Sequence, residues 1–287
     1  METSELLKKV RKIEIKTRGL SKQVFSGEYH SAFKGRGMAF SEVRNYIPGD
    51  EIRTIDWNVT ARFNEPFVKV FEEERELTVM LLIDISGSES FGTDHVSKRE
   101  FIAEIGAVLA FSATQNNDKI GAILFSDKIE LYIPPKKGRK HILRIIRELI
   151  EFKPSSTKTN ISEVLQNFNN LIKKKSIAFL ISDFINKDYE DALKITSKKH
   201  DLIALRVVDQ RERILTDVGL SLFKDSETGK EIWINTSNKR VREQFYQNAL
   251  AIEHNTSQIF KRAKVDHANL NIQNGYIKPL MNLFKKR

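Results

Sequence analysis

The chain has 287 residues and a net charge of +10, with 40% apolar and 30% charged residues, so it can form one large domain or two smaller ones. It contains no cysteine, which excludes disulfides, thiolate metal sites and cysteine catalysis. No apolar segment approaches the roughly 20 residues of a membrane-spanning helix, and the amino terminus lacks a signal-peptide stretch, so we expect a cytoplasmic protein.

The predicted elements begin with a short amphipathic helix at residues 4–17. Between Gly27 and Arg75, glycine, proline and aromatic residues are frequent, and residues 66–72 alternate like a strand. We therefore expect residues 1–75 to form an amino-terminal helix and a small β-containing lobe, which is too small for a sizeable core of its own.

From residue 76 onward, strand and helix patterns alternate. Apolar runs at 77–84 and 176–181 are typical of buried parallel strands. The repetition predicts an α/β fold for residues 76–287: a doubly wound, mostly parallel sheet with helices on both faces, a hairpin near 219–235 and carboxyl-terminal helices. The other predicted elements are strands at 119–125, 128–133, 201–208 and 270–272, and helices at 96–116, 139–151, 161–173, 188–199, 237–264 and 276–285.

Polar side chains cluster where the predicted chain leaves the sheet. Asp84, Ser86 and Ser88 follow the first buried strand, Thr159 precedes a helix, and Asp183 ends another strand. Open α/β sheets bind ligands at this edge, and two carboxylates with three hydroxyls form the oxygen-only set that Mg²⁺ prefers. We expect the hydroxyls to bind Mg²⁺ directly, one or both carboxylates to act through water, and one position to accept an outside oxygen. Mn²⁺ fits nearly as well, and Ca²⁺ is a further alternative.

The same residues have a simpler interpretation as helix caps and turn residues, because serine, threonine and aspartate are common in such positions. Either Thr159 or Asn160 could cap the helix predicted at 161–173.

The spacing Asp-x-Ser-x-Ser, followed by a threonine and then an aspartate, resembles the metal-ion-dependent adhesion site of the von Willebrand factor type A domain. Upstream, the segment Gly35–Arg62 resembles the signature of the bacterial domain-of-unknown-function-58 family, where it directly precedes a von Willebrand A-like domain. The resemblance implies a Mg²⁺ site that binds a partner's carboxylate. Family genes often sit beside a MoxR-type AAA+ ATPase, so it also implies an adaptor or chaperone-like partner of such an ATPase.

A dense block of charged and aromatic residues within that segment has two interpretations. It is either a salt-bridged segment that packs the small lobe against the sheet, or a partner-binding surface. The block comprises Arg44, Asp50, Arg53, Asp56, Trp57 and Arg62.

The leading functional prediction is a metal-dependent protein-interaction module that is not an enzyme. Haloacid-dehalogenase-type phosphatases carry Asp-x-Asp at the strand end, and Ser86 cannot replace the second aspartate as general acid. Nucleic-acid binding through the basic surface is an alternative, although aromatic and basic residues are not interleaved as in proteins that stack on bases. A scaffold with a vestigial metal site is the other alternative, and the oligomeric state stays open.

Overall fold

The computed structural model describes residues 10–11, 13–14, 17, 39–63, 65–72, 77–87, 92–93, 96–186, 188–225 and 229–287. The chain divides into two compact units, residues 33–77 and a larger unit that combines residues 1–32 with 78–287. The described residues near the amino terminus are helical and belong to the larger unit, whereas the sequence grouped them with the small lobe. Val10 and Ile13 are buried there, and Glu14 forms an ion pair of 2.6 Å with Arg139.

The small unit is a two-stranded antiparallel sheet with a helical connection. Strand β1 (Ala39–Asn45) pairs with β2 (Phe67–Glu72), which confirms the strand predicted at 66–72. Between them lie a 3₁₀ turn (Ile52–Thr54) and helix α1 (Trp57–Phe63). The connection is fastened to β2 because the N–H of Phe67 donates to the Thr60 hydroxyl at 3.0 Å.

The larger unit is built on a six-stranded sheet, whose strands are, in spatial order, β12 (Asp266–Asn271), β9 (Asp201–Val208), β8 (Ile177–Ser182), β3 (Thr78–Asp84), β6 (Lys119–Phe125) and β7 (Ile129–Lys136). All neighbouring strands run parallel except β7, which is antiparallel to β6, so the predicted mostly parallel sheet is confirmed. Two further strand pairs lie outside this sheet: β4 (Gly92–Thr93) with β5 (Val96–Ser97), and β10 (Leu220–Lys224) with β11 (Glu231–Asn235). The helices are α2 (Lys98–Gln115), α3 (Arg139–Glu151), α4 (Ile161–Leu171), α5 (Glu190–Lys199), α6 (Lys239–Ala263) and α7 (Ile277–Lys285).

Helices cover both faces of the sheet because successive side chains of a strand point to opposite sides. Met80 and Leu82 of β3 belong to a core cluster with side chains of α4, α5 and α6. Leu81 and Ile83 face α2 and α3 on the other side, where a Cβ at Gly106 would lie 3.0 Å from Leu149. Strand β3 is therefore buried on both faces, as its continuous apolar sequence predicts.

One edge strand of the sheet differs from expectation in its bounds. The last strand spans Asp266–Asn271 rather than 270–272, because only Ala268 and Leu270 of this edge strand are buried and no apolar run marks it. The hairpin near 219–235 is confirmed as β10 and β11. None of the described helices combines the length and apolarity needed to cross a membrane.

Candidate metal centre

Asp84 and Ser86 lie at the carboxyl end of β3, near the middle of the sheet edge, and both are completely buried. The Asp84 carboxylate accepts a hydrogen bond from the N–H of Ser86 at 3.0 Å. Its other oxygen accepts the hydroxyl of Ser182, at the end of neighbouring β8, at 2.7 Å. The carboxylate therefore joins the ends of two adjacent strands and holds oxygen atoms at the edge that the sequence identified.

The environment of Asp84 disfavours its negative charge. Burial, and next the nearby Asp183 carboxylate, raise the pKa of Asp84 to about 7, against the hydrogen bonds from Ser86 and Ser182. A cation close to two carboxylates in a dry site favours their charged forms. The strand edge is thus electrostatically suited to a positive charge.

A lysine already supplies positive charge on one side of this edge. Asp183 directly follows β8 and is 5% exposed. The Nζ atom of Lys98 lies 3.0 Å from the Asp183 carboxylate and 3.1 Å from the carboxylate of Glu212. The Lys98 side chain is only 1% exposed, so the ammonium is enclosed between two acids. Arg206 adds a second contact, donating from Nε to the Asp183 carbonyl at 3.1 Å.

Secondary structure fixes the positions of Lys98 and of its second acidic partner, Glu212. Lys98 is the first residue of α2, whose N-cap Ser97 accepts the N–H of Glu100 at 3.1 Å. Glu212 ends a 3₁₀ turn (Gln210–Glu212) after β9 and forms a capping box with Asp209. Burial raises the pKa of Glu212, and Lys98 opposes that shift.

Sequence reasoning missed Lys98 and Glu212. They lie 85 residues before and 29 residues after Asp183 in the chain, and the Lys98–Glu212 contact spans 114 residues. Each is a charged residue next to a helix end, which is typical of a solvated surface position. No local pattern separates them from the exposed lysines and glutamates nearby.

The connection that carries Thr159 is fixed beside the β3 edge. The N–H of Gly87 donates to the Thr157 carbonyl at 2.9 Å, and the N–H of Asn160 donates to the Ser126 carbonyl at 3.2 Å. Asn186, just after Asp183, donates through Nδ2 to the Thr159 carbonyl. All three predicted segments of the metal site, those that contain Asp84, Thr159 and Asp183, therefore meet at one edge.

Glu130 of β7 organises the start of the same connection. Its carboxylate accepts the hydroxyl of Ser126 at 2.7 Å, the hydroxyl of Ser155 at 2.9 Å and the N–H of Ser156 at 3.3 Å. Burial opposes ionisation, but these hydrogen bonds outweigh it and lower the pKa of Glu130. Glu130 is a further residue that the sequence did not mark, and it holds the threonine connection against the β6–β7 hairpin.

Thr159 and Ser88 are the two remaining predicted ligands. Thr159 is half-buried, and Asn160 rather than Thr159 caps α4, accepting the N–H of Glu163 at 3.1 Å. Of the two predicted cap candidates, Asn160 is thus the one that caps α4. Ser88 lies outside the described residues.

The donor chemistry fits a hard divalent cation, since the edge offers carboxylate and hydroxyl oxygens and no sulfur. Within the part of the chain that the structure describes, no three His, Cys, Asp or Glu side chains converge on one metal position. A cation here would depend on hydroxyl oxygens in addition to the two aspartates.

The charged block of the small unit separates into two groups. Arg44 pairs through both terminal nitrogens with Asp50, at 2.7 and 2.8 Å, and Asp56 accepts the N–H of Asn58 at 3.0 Å at the start of α1. Trp57 is 66% exposed. The remaining two, Arg53 and Arg62, are also exposed. The first group orders the unit internally, whereas the second forms part of its surface.

Comparison with known proteins places the chain in a family. The sequence profile described as "Protein of unknown function DUF58" matches residues 42–255. The chain belongs to this family. The match includes most of the Gly35–Arg62 segment and five of the six strands of the large sheet, all except β12, so the predicted membership is confirmed.

The relatives are themselves uncharacterized. A protein of Mycobacterium bovis is 27% identical over 232 residues, which is 80% of this chain and 73% of the relative. Another, YeaD of Bacillus subtilis, is 28% identical over 109 residues, which is 38% of this chain and 25% of the relative. These similarities support the family membership and assign no activity.

The similar solved structures concern the fold. An aerotolerance-related membrane protein from Bacteroides fragilis has a TM-score of 0.50 and 18% identity, covering 74% of this chain and 100% of that one. The SpRpn10 VWA domain has a TM-score of 0.39 and 10% identity, covering 74% and 96%. The strand order and the first of these structures confirm the predicted α/β fold, a mostly parallel sheet with helices on both faces.

Proposed function

We propose that this chain is a divalent-cation-dependent protein-interaction module and not an enzyme. The observation that carries the proposal is the fully buried Asp84 carboxylate at the central strand edge, hydrogen-bonded to Ser86 and Ser182 and close to a second aspartate. The proposed ligands are Asp84, Ser86, Ser88, Thr159 and Asp183, with Mg²⁺ as the preferred ion and Mn²⁺ as the nearest alternative. When bound, the ion would offer a coordination position to a carboxylate oxygen of the partner.

The residues of the chain supply the frame for such a contact. Hydrogen bonds link Asp84 to Ser86 and to Ser182 of β8, and those of Gly87 and Asn186 keep the threonine connection beside them. An open depression beside Thr159 is lined by two lysines, Lys128 and Lys158, and by two acids, Asp127 and Glu163. These charges balance, so the preference for an acidic partner segment would come from the bound ion itself.

The proposed partner is a MoxR-type AAA+ ATPase, with this chain as its adaptor or chaperone-like companion. The support is the resemblance of the Gly35–Arg62 segment to the family signature, together with the family match. We further propose that the exposed side chains of Arg53, Trp57 and Arg62 contribute a second contact with the same ATPase, since aromatic and arginine side chains are enriched at interfaces.

A capture experiment tests the proposal. The immobilised chain is incubated with the MoxR-type ATPase of the same cell, in Mg²⁺ and in a chelator, and Asp84→Ala is compared with Asp191→Ala. Asp191 is a suitable control because its side chain is 91% exposed on α5. Capture should require Mg²⁺, fail with Asp84→Ala and persist with Asp191→Ala.

Equal capture in chelator and with Asp84→Ala would contradict the proposed function. Binding of DNA or RNA that weakens steeply with salt and is indifferent to Asp84→Ala would instead support the nucleic-acid alternative, which the net charge of +10 keeps open.

A further inference from the structure

Lys98 is an unusual neighbour for a cation site. It is among the largest fully buried side chains of the described residues, and its ammonium contacts Asp183, one of the five proposed metal ligands. A lysine is rarely buried unless it is paired. Here the ammonium of Lys98 contacts the same carboxylate that a divalent ion would use as a ligand.

We propose that Lys98 is an internal cation that competes with the divalent ion for Asp183 and thereby sets a low affinity for the metal. The inference rests on the proposed function, and it adds the residue that regulates the same site. Because the ammonium occupies an Asp183 oxygen, the metal-free edge is already partly neutralised. The site would then gain a metal only when the ion concentration, or a partner's added carboxylate, outweighs the lysine.

The charges of the described cluster support this competition. The cluster contains three carboxylates, those of Asp84, Asp183 and Glu212, and two cations, Lys98 and Arg206. Removing Lys98 leaves Asp183 and Glu212 without their ammonium, so the edge becomes more negative. A more negative, buried edge attracts a divalent cation more strongly because charges interact strongly where water is excluded.

Glu212 has the opposite effect on the site. It shares the Lys98 ammonium with Asp183, at 3.1 Å and 3.0 Å respectively. While Glu212 forms an ion pair with the Lys98 ammonium, Asp183 can bind a divalent cation and Lys98 still keeps one acidic partner. Neutralising Glu212 should therefore fasten Lys98 to Asp183 alone and weaken metal binding.

The two residues thus predict effects of opposite sign, which distinguishes regulation from a merely structural role. If the contacts of Lys98 with Asp183 and Glu212 only supported the fold, substitution of either Lys98 or Glu212 would weaken metal binding. Under competition, Lys98→Met tightens binding and Glu212→Gln weakens it. The double variant Lys98→Met with Glu212→Gln removes one charge of each sign and should also bind more tightly than the parent.

Calorimetric titration with Mg²⁺ and with Mn²⁺ tests the proposal on the whole chain. We expect Lys98→Met and the double variant to bind about tenfold more tightly or better, and Glu212→Gln to bind several-fold more weakly. Lys194→Met is the matched control, because Lys194 forms an ion pair of 2.8 Å with Glu190 on α5, a pair that contains none of the proposed ligands. It should leave the affinity unchanged.

Circular dichroism and metal-free melting show which variants are folded. If Lys98→Met alone does not fold, the double variant carries the test. Unchanged or weaker affinity in the folded lysine variants, while the parent binds and Asp84→Ala does not, would overturn the inference and leave the proposed function standing. Binding by the double variant but not by the parent would support the inference. Absence of binding in every folded variant would overturn both.

Discussion

The sheet edge and the small unit each contain an acid paired with a base, but the two pairs have different environments. The Lys98 and Asp183 side chains are 1% and 6% exposed, whereas those of Arg44 and Asp50 are 40% and 21% exposed. The exposed pair is self-sufficient: hydrogen bonds from Arg44, and next from the N–H of Ile47, lower the pKa of Asp50 to about 2. At the sheet edge, burial raises the pKa of Asp84 instead, so each charge there depends on its neighbours.

These environments suit the small unit to surface contacts and the sheet edge to cation binding. The small unit uses its charges to order a local turn and leaves Trp57 exposed on its surface. The sheet edge collects charges that are costly to bury and that respond to any added cation. We therefore expect substitutions at the edge to change stability and metal affinity together, and substitutions in the small unit to change surface contacts.

The largest difference is expected when each pair loses its base. Lys98→Ala removes the ammonium that the buried Asp183 shares with Glu212 and should lower the free energy of unfolding by about 3–5 kcal/mol. Arg44→Ala breaks a solvent-screened pair and should change it little. Urea unfolding of both variants at neutral pH, without metal, measures the difference, and equal losses would refute the contrast between the two regions.

Asp84→Asn should stabilise the metal-free protein while it abolishes metal binding. The folded pKa of Asp84 is about 7, above its ordinary value, so its proton-bound form is favoured by folding. The associated stability is complete at pH values below about 4 and is lost as the pH rises to about 7. Asparagine stays neutral, and the Ser182 hydroxyl can rotate to accept from its amide.

At pH 8 the gain in the free energy of unfolding should be about 2–4 kcal/mol, and it should shrink towards pH 4. Metal-free urea titrations across this range provide the measurement. A loss of stability at pH 8 would contradict the electrostatic description of the edge.

Most of the fold was predictable because it follows from local patterns. The continuous apolar run of β3, the periodic apolar face of α3 and the short β6–β7 connection each determine their own structure. The shared position of Asp84 and Asp183 was also predictable, because strand ends of a parallel sheet meet at one edge.

The remaining features depend on contacts between distant segments. Lys98 and Glu212 lie in sequence contexts that are typical of surface residues. They come together only because α2 and the turn after β9 meet beside Asp183. The choice of Asn160 over Thr159 as the cap of α4 also depends on the backbone path that Ser126 and Glu130 impose. Neither the contacts of Lys98 nor the N-cap of α4 could be predicted from the spacing of residues in the sequence.

A smaller effect is expected at Glu130, which touches the threonine connection from outside the buried edge. Glu130→Ala removes the acceptor for Ser126, Ser155 and Ser156, so residues 153–160 should exchange their amide hydrogens faster and metal affinity should fall several-fold. Hydrogen exchange and calorimetry measure the two effects, with Glu148→Ala on α3 as the control. Unchanged exchange in 153–160 would show that Glu130 does not hold the connection.

The smallest change in stability is expected at Trp57. Because its side chain is 66% exposed, Trp57→Ala should alter the free energy of unfolding by no more than about 0.5 kcal/mol, while capture of the ATPase weakens. Val68→Ala, at a position 2% exposed in β2, should instead destabilise the unit without a specific effect on capture. Strong destabilisation by Trp57→Ala would favour the packing interpretation of this segment.

The central claim is that the carboxyl edge of the sheet binds a divalent cation through Asp84. Calorimetric titration of Mg²⁺ and Mn²⁺ into the parent chain, Asp84→Ala and Asp191→Ala tests it most directly. The account predicts saturable binding of one ion per chain in the parent and in Asp191→Ala, and none in folded Asp84→Ala. Binding of equal strength and stoichiometry in all three proteins would contradict it.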